Sequence, residues 1–307
     1  MGGHVALAAS SSMLPCHHGK LRVFKLCLHR ESFKGFMKRR HLFEFHERSG
    51  CPGFIRDSVV EALGRGLRWG NFAAIMGPAF EEFFQAAKPA HVLDLCSGSG
   101  QPTANLTKWL KQRDRPLPRF ILSDLFPNLA TLKTTRDEDP YALEFHAAPV
   151  NASKVPLGIN HDARMLVNAF HHFDTEQARE ILENCSSDKK AIFIFECSPR
   201  GCRRLMRLAL SMPAVPLAIL ANPFLARRQK MLKFIFTYLC PLIPIAFTWD
   251  TIATNLRTYS EPEWNSLTKS ITGYRWTYRE YPFGKGARAV ACFGVPTPAV
   301  HKTRTGI

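Results

Sequence analysis

Short apolar runs alternate with amphipathic helical patterns along most of this chain. After Pro89, runs rich in β-branched and aromatic residues predict five strands, at 92–95, 119–123, 142–146, 164–168 and 190–196. Helical periodicity predicts helices between these strands and before the first one, near 55–64, 72–87, 102–112, 127–136 and 174–185. Strands that alternate with helices predict a parallel sheet joined by right-handed crossovers.

The alternation stops after Glu196, where an insertion begins. Residues 197–249 contain no Asp or Glu but eight Lys or Arg. Within them lie two uncharged apolar stretches, 208–226 and 234–249, both interrupted by prolines. Each stretch is short and proline-broken for an independent membrane-spanning helix. Two interpretations stay open: a hairpin that dips into one leaflet with its basic residues on anionic head groups, or a buried lid over a substrate pocket.

The C-terminal part returns to the strand pattern. Ser260 and Glu263 fit a capping box at the start of a helix near 260–271. Two further strands follow, near 274–281 and 288–294. The loop between them is too short for a parallel crossover, so we expect this last pair to be antiparallel.

Composition places the chain among globular proteins with one large core. Its 307 residues are 46% hydrophobic and 21% charged. The nine cysteines are odd in number and scattered, with no C-x-x-C pair. We therefore expect reduced thiols in a reducing compartment and no metal site.

The chain is strongly basic, with 41 Lys or Arg against 25 Asp or Glu and a formal net charge of +16. Such an excess favours an anionic partner, which can be nucleic acid, an anionic lipid surface or an acidic substrate. Much of the charge lies in the first forty residues and in residues 200–233 rather than across the predicted sheet. Nucleic acid is therefore the less favoured partner.

The N-terminal residues 1–36 carry five Lys or Arg and one acid, Glu31. This composition resembles an organelle transit peptide, whereas no apolar run long enough for a secretory signal is present. The simpler expectation is a disordered basic tail, or a start upstream of a natural one at Met37. We expect one domain over residues 37–307 in the cytoplasm, with membrane association and organelle targeting both left open.

The strongest local signal is residues 92–100, VLDLCSGSG. A strand brings Asp94 to its carboxyl end, and a small-residue turn leads into a helix. Glycines in such a turn let the backbone approach a ligand closely. The third glycine of the dinucleotide fingerprint is missing, and Asp94 would repel a pyrophosphate but attract an ammonium group. A second acid, Asp124, ends the next strand thirty positions later, where a carboxylate can accept ribose hydroxyls.

These residues resemble class I S-adenosylmethionine-dependent methyltransferases. Residues 92–100 are similar to the family's first motif, Asp124 to its ribose-binding acid, and RMLVNAFHHF at 164–173 to its fourth-strand motif. The resemblance covers about residues 55–296 and implies a Rossmann-like α/β fold with sheet order 3-2-1-4-5-7-6. Four segments resemble more narrowly a bacterial-type subgroup: MKRRHLFEF at 37–45, DLCSG at 94–98, FHHF at 170–173 and FTWDTIATNLRTYS at 247–260.

The resemblance implies S-adenosyl-L-methionine as cofactor, with Asp94 and the glycine turn at its methionine part and Asp124 at its ribose. Asn151 stands where the family has an adenine-contacting acid, and Cys96 replaces the usual first glycine. Both are departures from the pattern, and the first leaves a neutral hydrogen-bond acceptor at the adenine. The full set of expected cofactor-binding residues is Asp94, Ser97, Gly98, Ser99, Gly100, Asp124, Asn151 and Asn168.

Two pairs of residues are candidates for catalysis. His171 and His172 follow the fourth strand, where a histidine can take a proton from an oxygen or nitrogen nucleophile. The alternative is that both histidines pack against the rim of the site. Asp250 and Arg257 lie two turns apart in a predicted helix, so both can project toward one polar ligand on the acceptor side. The alternative is a capping Asp and an Arg that extends over the helix surface.

The sequence thus predicts methyl transfer to a small or lipid-like acceptor, with peripheral contact to an anionic membrane as a further expectation. One alternative is an RNA methyltransferase, which the net charge favours but no RNA-binding module supports. Another is a membrane-docked, non-catalytic module on the same fold. The presence of Asp94, Gly98, Gly100 and Asp124 argues against loss of the cofactor.

Overall fold

A computed structural model describes residues 38–48, 50–226 and 229–297 of the chain. The expectations for residues 1–36 therefore lie outside the described residues. The strands are β1 (His91–Asp94), β2 (Arg119–Leu122), β3 (Leu143–Phe145), β4 (Ala163–Val167), β5 (Ala191–Glu196), β6 (Tyr274–Phe283) and β7 (Ala287–Pro296). The helices are α1 (Gly53–Trp69), α2 (Phe72–Ala87), α3 (Gln101–Lys111), α4 (Leu129–Asp137), α5 (Thr175–Ser187), α6 (Cys202–Ser211), α7 (Ala214–Leu225), α8 (Lys230–Phe234), α9 (Leu242–Arg257) and α10 (Glu261–Thr268).

The seven strands form a single sheet in the order β3-β2-β1-β4-β5-β7-β6. Strands β1 to β5 pair in parallel, whereas β7 runs antiparallel to both of its neighbours. This is the order and direction that the sequence predicts, so the expected Rossmann-like methyltransferase fold is confirmed. In this register Asp94, at the end of β1, lies beside Leu122 of β2 and Met165 of β4.

Hydrophobic cores cover both faces of the sheet. Along β5, Phe193 and Phe195 enter the core shared with α2 and α3, and Ile192 and Ile194 enter the core shared with α5 and α10. All four side chains are buried, as a central parallel strand requires. The capping box predicted at the start of α10, between Ser260 and Glu263, is present.

The insertion after β5 consists of α6 to α9, with a π-helical turn at Ile235–Leu239. Side chains from α7 and α9 pack on α1 in a third core, made of Ile55, Val59, Ala62, Ala218, Ile219, Ile243 and Ala246. The opposite faces of these helices are exposed. The insertion is therefore not a fully buried lid, because only one face of it packs against the domain.

Among the described residues, no single helix is long and apolar enough to cross a membrane. Two bent helix pairs meet that test jointly, by length and composition only. They are Cys202–Ser211 with Ala214–Leu225, bent by 60°, and Lys230–Leu239 with Leu242–Arg257, bent by 75°.

Residues 38–48, which we call the strap, run along α9 in a mostly irregular conformation with one 3-10 turn at Phe45–Glu47. The Arg40 amide donates to the Leu256 carbonyl at 3.2 Å. The indole Nε1 of Trp249 donates to the Phe43 carbonyl at 2.9 Å. The strap is thus fixed to the domain by backbone as well as side-chain contacts.

Candidate functional site

The turn after β1 has the backbone that its glycines predict. Gly98 and Gly100 have φ values of 54° and 71°, in the left-handed region that favours glycine. A Cβ on Gly100 would lie 2.5 Å from Cδ1 of Leu122, so a side chain there would require the Leu122 side chain on β2 to shift. A Cβ on Gly98 would meet nothing within 4 Å. The space above Gly98 is therefore open to a ligand, whereas Gly100 serves packing.

Asp94 is 2% exposed at the end of β1. Its Oδ2 accepts a hydrogen bond from the Thr103 hydroxyl at 2.5 Å. Burial raises the pKa of Asp94 to about 7; the charge of Asp124 adds to the rise and the Thr103 hydrogen bond opposes it. Within the part of the chain that the structure describes, Asp94 has no cationic partner, and a bound ammonium group can supply one.

Asp124 joins the two predicted halves of the cofactor site. Its Oδ2 accepts from the Gly98 amide and its Oδ1 from the Phe126 amide, both at 2.9 Å. Ser97 is held to the same strand end, because its amide and hydroxyl both donate to the Ser123 carbonyl at 2.9 Å. The ends of β1 and β2 therefore form one continuous turn-and-carboxylate surface, as the sequence predicts.

Phe126 is a feature of this surface that the sequence analysis missed. Its side chain is 85% exposed directly beside the Asp124 carboxylate, and Leu125 next to it is also exposed. A single exposed ring is ordinary on a protein surface, but at this position the ring is available to stack on a flat heterocycle. The signal was the pair of apolar residues that follows Asp124 in LFP.

The other expected cofactor residues lie around this surface and differ in their hydrogen-bond partners. The Ser99 carbonyl accepts from the Thr135 hydroxyl at 2.7 Å, which leaves the Ser99 side chain near the start of α3. Asn151 is exposed, and its Oδ1 accepts from the Ser153 amide at 2.9 Å. The preceding Val150 amide donates to the Asp124 carbonyl at 2.9 Å, so Asn151 follows a residue that is bonded to the end of β2.

Asn168 lies at the end of β4 with a left-handed φ of 48°. Its Oδ1 accepts from the Cys197 amide at 2.9 Å, and its Nδ2 lies 3.1 Å from the Cys197 sulfur. The side chain thus ties the ends of β4 and β5 together. Its contact with a cofactor stays a prediction.

His171 is 3% exposed and paired with Glu196 at the end of β5. The Nδ1–H of His171 donates to Oε2 of Glu196 at 2.8 Å, and the His171 amide donates to Oε1 at 3.0 Å. The other ring nitrogen, Nε2, faces Oε1 of Glu44 in the strap at 3.8 Å. Burial alone would lower the pKa of His171, but the charge and hydrogen bond of Glu196 outweigh it, so this pKa is raised. Sequence alone did not predict either carboxylate partner.

His172, the next residue, has the opposite electrostatic character. Its Nδ1–H donates to Oε1 of Glu47 at 2.6 Å, and its ring is half-buried. Burial and the adjacent charge of His171 lower the pKa of His172 despite Glu47. Glu47 itself is held well below its usual pKa, because hydrogen bonds from His172 and Arg257 outweigh its burial. The two histidines therefore differ, with His171 the more basic.

Asp250 and Arg257 do project toward one neighbour, as their spacing on α9 predicts, but that neighbour is the strap. Asp250 accepts from the amides of Phe45 and His46 at 2.6 and 3.3 Å. Arg257 donates to both carboxylate oxygens of Glu47 at 3.0 and 2.8 Å. Both side chains are buried, so they are neither a helix cap nor an arginine extended over the surface. Their contact with an acceptor stays a prediction.

The strap also reaches the turn that carries the histidines. The Arg39 guanidinium donates to the carbonyls of His171 and Phe173 at 3.2 and 2.7 Å and lies 4.0 Å above the Tyr259 ring. The His41 ring donates to the His172 carbonyl at 3.0 Å. The strap therefore forms one wall beside His171, built from contacts that span more than a hundred positions of sequence.

Among the described residues, one group has the spacing of a metal site: ligand atoms of Glu44, His46 and His172 all lie within 4.8 Å of one another. The Nδ1 atoms of both histidines already have carboxylate partners, Asp250 at 3.0 Å and Glu47 at 2.6 Å. These contacts explain the cluster as a network of ion pairs between the strap and the domain. This network could not be predicted from sequence, since the strap lies over a hundred residues from His172.

No protein-family model matches the chain. No curated protein matches it either. Solved structures do resemble it. An O-methyltransferase family protein from Burkholderia thailandensis is 15% identical over 76% of this chain and 59% of its own length, with a TM-score of 0.44. Human N-acetylserotonin methyltransferase, solved with S-adenosylmethionine, is 15% identical over 83% of this chain and 63% of its own, with a TM-score of 0.46.

A third similar structure is the plantazolicin methyltransferase in complex with S-adenosylhomocysteine. It is 11% identical over 80% of this chain and 98% of its own length, with a TM-score of 0.45. The chain spans about three-fifths of the length of the first two proteins, with 59% and 63% covered.

Proposed function

We propose that this protein transfers a methyl group from S-adenosylmethionine to an oxygen or nitrogen atom of a small or lipid-like acceptor. The observation that carries the proposal is the hydrogen bond of 2.9 Å from the Gly98 amide to Asp124. It joins a glycine turn, open above Gly98, to a carboxylate at the next strand end. Such an edge of a parallel sheet is where nucleoside ligands bind in open α/β folds.

The residues at this edge fit the proposed cofactor group by group. Asp94, buried and with no cationic partner among the described residues, suits the amino acid ammonium. Asp124 keeps lone pairs free for two ribose hydroxyls, since each of its oxygens accepts one amide hydrogen bond. Phe126 offers an exposed ring to the adenine. S-adenosylmethionine, when bound, supplies an electrophilic methyl group.

His171 is the proposed general base. Glu196 fixes the proton on Nδ1, which leaves Nε2 as the nitrogen that accepts the acceptor's proton. The imidazolium that results lies between two carboxylates, Glu196 at 2.8 Å and Glu44 at 3.8 Å. Nε2 lies 3.8 Å from Oε1 of Glu44, so the nucleophilic atom of the acceptor has to approach Nε2 beside the strap.

The lipid-like class of acceptor is supported by the position of α9. This helix carries Asp250 and Arg257 beside the histidines at one end, and the exposed apolar residues Leu242 and Ile245 at the other. Helix α9 therefore connects the exposed apolar surface of the insertion to the region of His171. An apolar acceptor bound on that surface would reach His171 by moving along this one helix.

The test is methyl transfer from isotopically labelled S-adenosylmethionine to a lysate separated into lipid, small polar and RNA fractions, read by mass spectrometry. We expect label in the lipid or the small-molecule fraction, and its loss with His171→Asn while cofactor binding is kept. Label in RNA would support the RNA methyltransferase alternative. Cofactor binding without label in any fraction would contradict the proposed activity and favour a non-catalytic module.

A further inference from the structure

Exposed apolar side chains are concentrated on the insertion. Of the 23 large hydrophobic residues that are exposed in the described part of the chain, 14 lie between positions 206 and 252. We call these the apolar face. They are Met206, Leu210, Leu217, Leu220, Phe224, Leu225, Met231, Leu232, Phe234, Tyr238, Leu239, Leu242, Ile245 and Ile252. Single exposed hydrophobic residues are ordinary, but a concentration of this kind marks an interaction surface.

The centre of the apolar face is continuous across helices. The ring of Phe224, near the end of α7, lies 6.1 Å from that of Phe234 in α8 and 6.0 Å from that of Tyr238. Phe234 and Tyr238 are themselves 5.1 Å apart. The Tyr238 hydroxyl donates to the Leu220 carbonyl at 2.5 Å, which joins the π-helical turn to α7. Three exposed aromatic rings thus form one apolar cluster.

Helix α6 has the character of a helix that lies at an interface. None of its residues is buried, although it is strongly amphipathic. Met206 and Leu210 share one side at a spacing of four, and Arg203 and Arg207 share the adjacent side. An apolar stripe flanked by arginines suits a boundary between hydrocarbon and negative charge.

The charge around the apolar face has one sign. Residues 197–249 contain no Asp or Glu. Lys230 is exposed at the start of α8, and Arg227 and Arg228 precede it in the sequence. Lys233 is different, because it is buried and paired with Glu61 at 2.7 Å. Among the described residues, the exposed cations on the helices that carry the apolar face include Arg203, Arg207 and Lys230.

The combination of exposed apolar side chains and positive charge indicates which kind of partner can cover the apolar face. A second copy of the chain would bring cations against cations if the two faces met, since neither contributes an acid from residues 197–249. The domain itself is already packed on the inner side of the insertion through α1. A bilayer with anionic lipids offers hydrocarbon for the rings and negative head groups for the arginines and lysine.

We propose that the apolar face is a peripheral docking surface for membranes that contain anionic lipids. The cluster of Phe224, Phe234 and Tyr238 enters the boundary between head groups and acyl chains. Arg203, Arg207 and Lys230 lie among the phosphates. This binding requires neither the cofactor nor methyl transfer, so it is separate from the proposed activity.

The test is flotation of the full chain with vesicles of phosphatidylcholine alone or of phosphatidylcholine mixed with phosphatidylglycerol. We expect binding to the mixed vesicles, falling with added salt. Changing Phe224→Ser and Phe234→Ser together removes two exposed rings and should reduce partition about tenfold or more. The matched control is Tyr141→Ser, an aromatic residue 90% exposed outside the insertion, which should bind as the unchanged protein does.

The charge component has its own pair of variants. Lys230→Glu should weaken binding to the mixed vesicles about fivefold or more and leave binding to phosphatidylcholine unchanged. Lys269→Glu makes the same change of charge at the exposed end of α10 and should have a much smaller effect.

Three results would overturn the proposal. The first is that the protein binds neither kind of vesicle. The second is that the double variant partitions onto vesicles as strongly as the unchanged protein. The third is that the protein sediments as a dimer and the double variant as a monomer. The last would assign the face to a second copy. Because the assay contains no S-adenosylmethionine, none of these results would bear on cofactor binding.

Discussion

Arg257 binds Glu47 across 210 positions of sequence, with guanidinium nitrogens 3.0 and 2.8 Å from the two carboxylate oxygens. Arg257 is 3% exposed at its side chain, whereas Glu47 is about one-third exposed. This pair closes the strap over the end of α9, beside the turn that carries His171. Through this pair the strap belongs to the folded domain and is not a loose extension.

We predict that Glu47→Gln destabilises the protein by about 2 kcal/mol, because it removes one of the two carboxylates that pair with the nearly buried Arg257 and leaves only Glu44, at 3.3 Å. Thermal unfolding should show a fall in Tm of about 4 °C or more. Glu144→Gln, which removes an ion pair to Arg119 exposed at both ends, is the control and should cost about 0.5 kcal/mol at most. Equal losses of stability in the two variants would show that the Arg257–Glu47 pair stabilises the protein no more than an exposed ion pair does.

The same pair sets a pH window. The pKa of Glu47 is lowered in the fold, so its contribution is fully present above the unfolded pKa of about 4.3 and is lost progressively as the pH falls below that value toward the lower folded pKa. The difference in stability between the unchanged protein and Glu47→Gln should therefore shrink in acid. A difference that stays constant down to about pH 3 would contradict this cause.

Gly98 and Gly273 allow the ligand space to be tested apart from backbone strain. Both are left-handed, with φ values of 54° and 75°, and a Cβ on either would meet nothing within 4 Å. Alanine should therefore cost each about 1 kcal/mol of stability from strain. Only Gly98→Ala places a methyl group in the proposed cofactor space, so it should weaken S-adenosylhomocysteine binding about tenfold or more while Gly273→Ala leaves it unchanged. Equal binding by both variants would place the ligand elsewhere.

Asp94 predicts a pH dependence of cofactor binding. Its pKa of about 7 means that the carboxyl is largely protonated at pH 6 and ionised at pH 8. Because the ammonium group binds the ionised form, affinity for S-adenosylhomocysteine should fall about tenfold from pH 8 to pH 6. Asp94→Asn should bind more weakly and with a flat profile. An unchanged slope in that variant would assign the pH dependence to another group.

The N-terminal boundary is tested by two shorter chains. Residues 1–36 have little apolar periodicity, so a chain that begins at Met37 should melt within a few degrees of the full chain. A chain that begins at Gly50 loses the strap and the partners of Asp250 and Arg257, and it should melt markedly lower. A large loss already in the first chain would show that residues 1–36 contribute to folding.

The sheet and the position of Asp94 and Asp124 at its edge could be predicted from sequence because their signals are local. A buried strand such as β5 is a continuous apolar run, and Ser260 with Glu263 is a capping box within four residues. Asp94 and Asp124 lie thirty positions apart but at ends of adjacent parallel strands, so their proximity follows from the order of the strands.

The strap and the partners of the histidines could not be predicted in this way. Glu44 and Glu47 lie 125 or more positions before the histidines they face, with no periodic pattern between them. Asp250 and Arg257 illustrate the limit, because helical spacing correctly places both on one side of α9. Spacing cannot say whether that side meets a ligand or another segment of the chain.

The most direct test of the proposed function is calorimetric titration of the full chain with S-adenosylmethionine and S-adenosylhomocysteine, alongside Asp124→Ala. We predict that both ligands bind the unchanged protein, and that the variant binds both more weakly by about 1–3 kcal/mol, because two ribose hydroxyls lose their acceptor. If the folded protein shows no heat of binding with either ligand up to millimolar concentration, the proposed cofactor site at the ends of β1 and β2 is wrong. Unchanged affinity in the variant would contradict the role of Asp124.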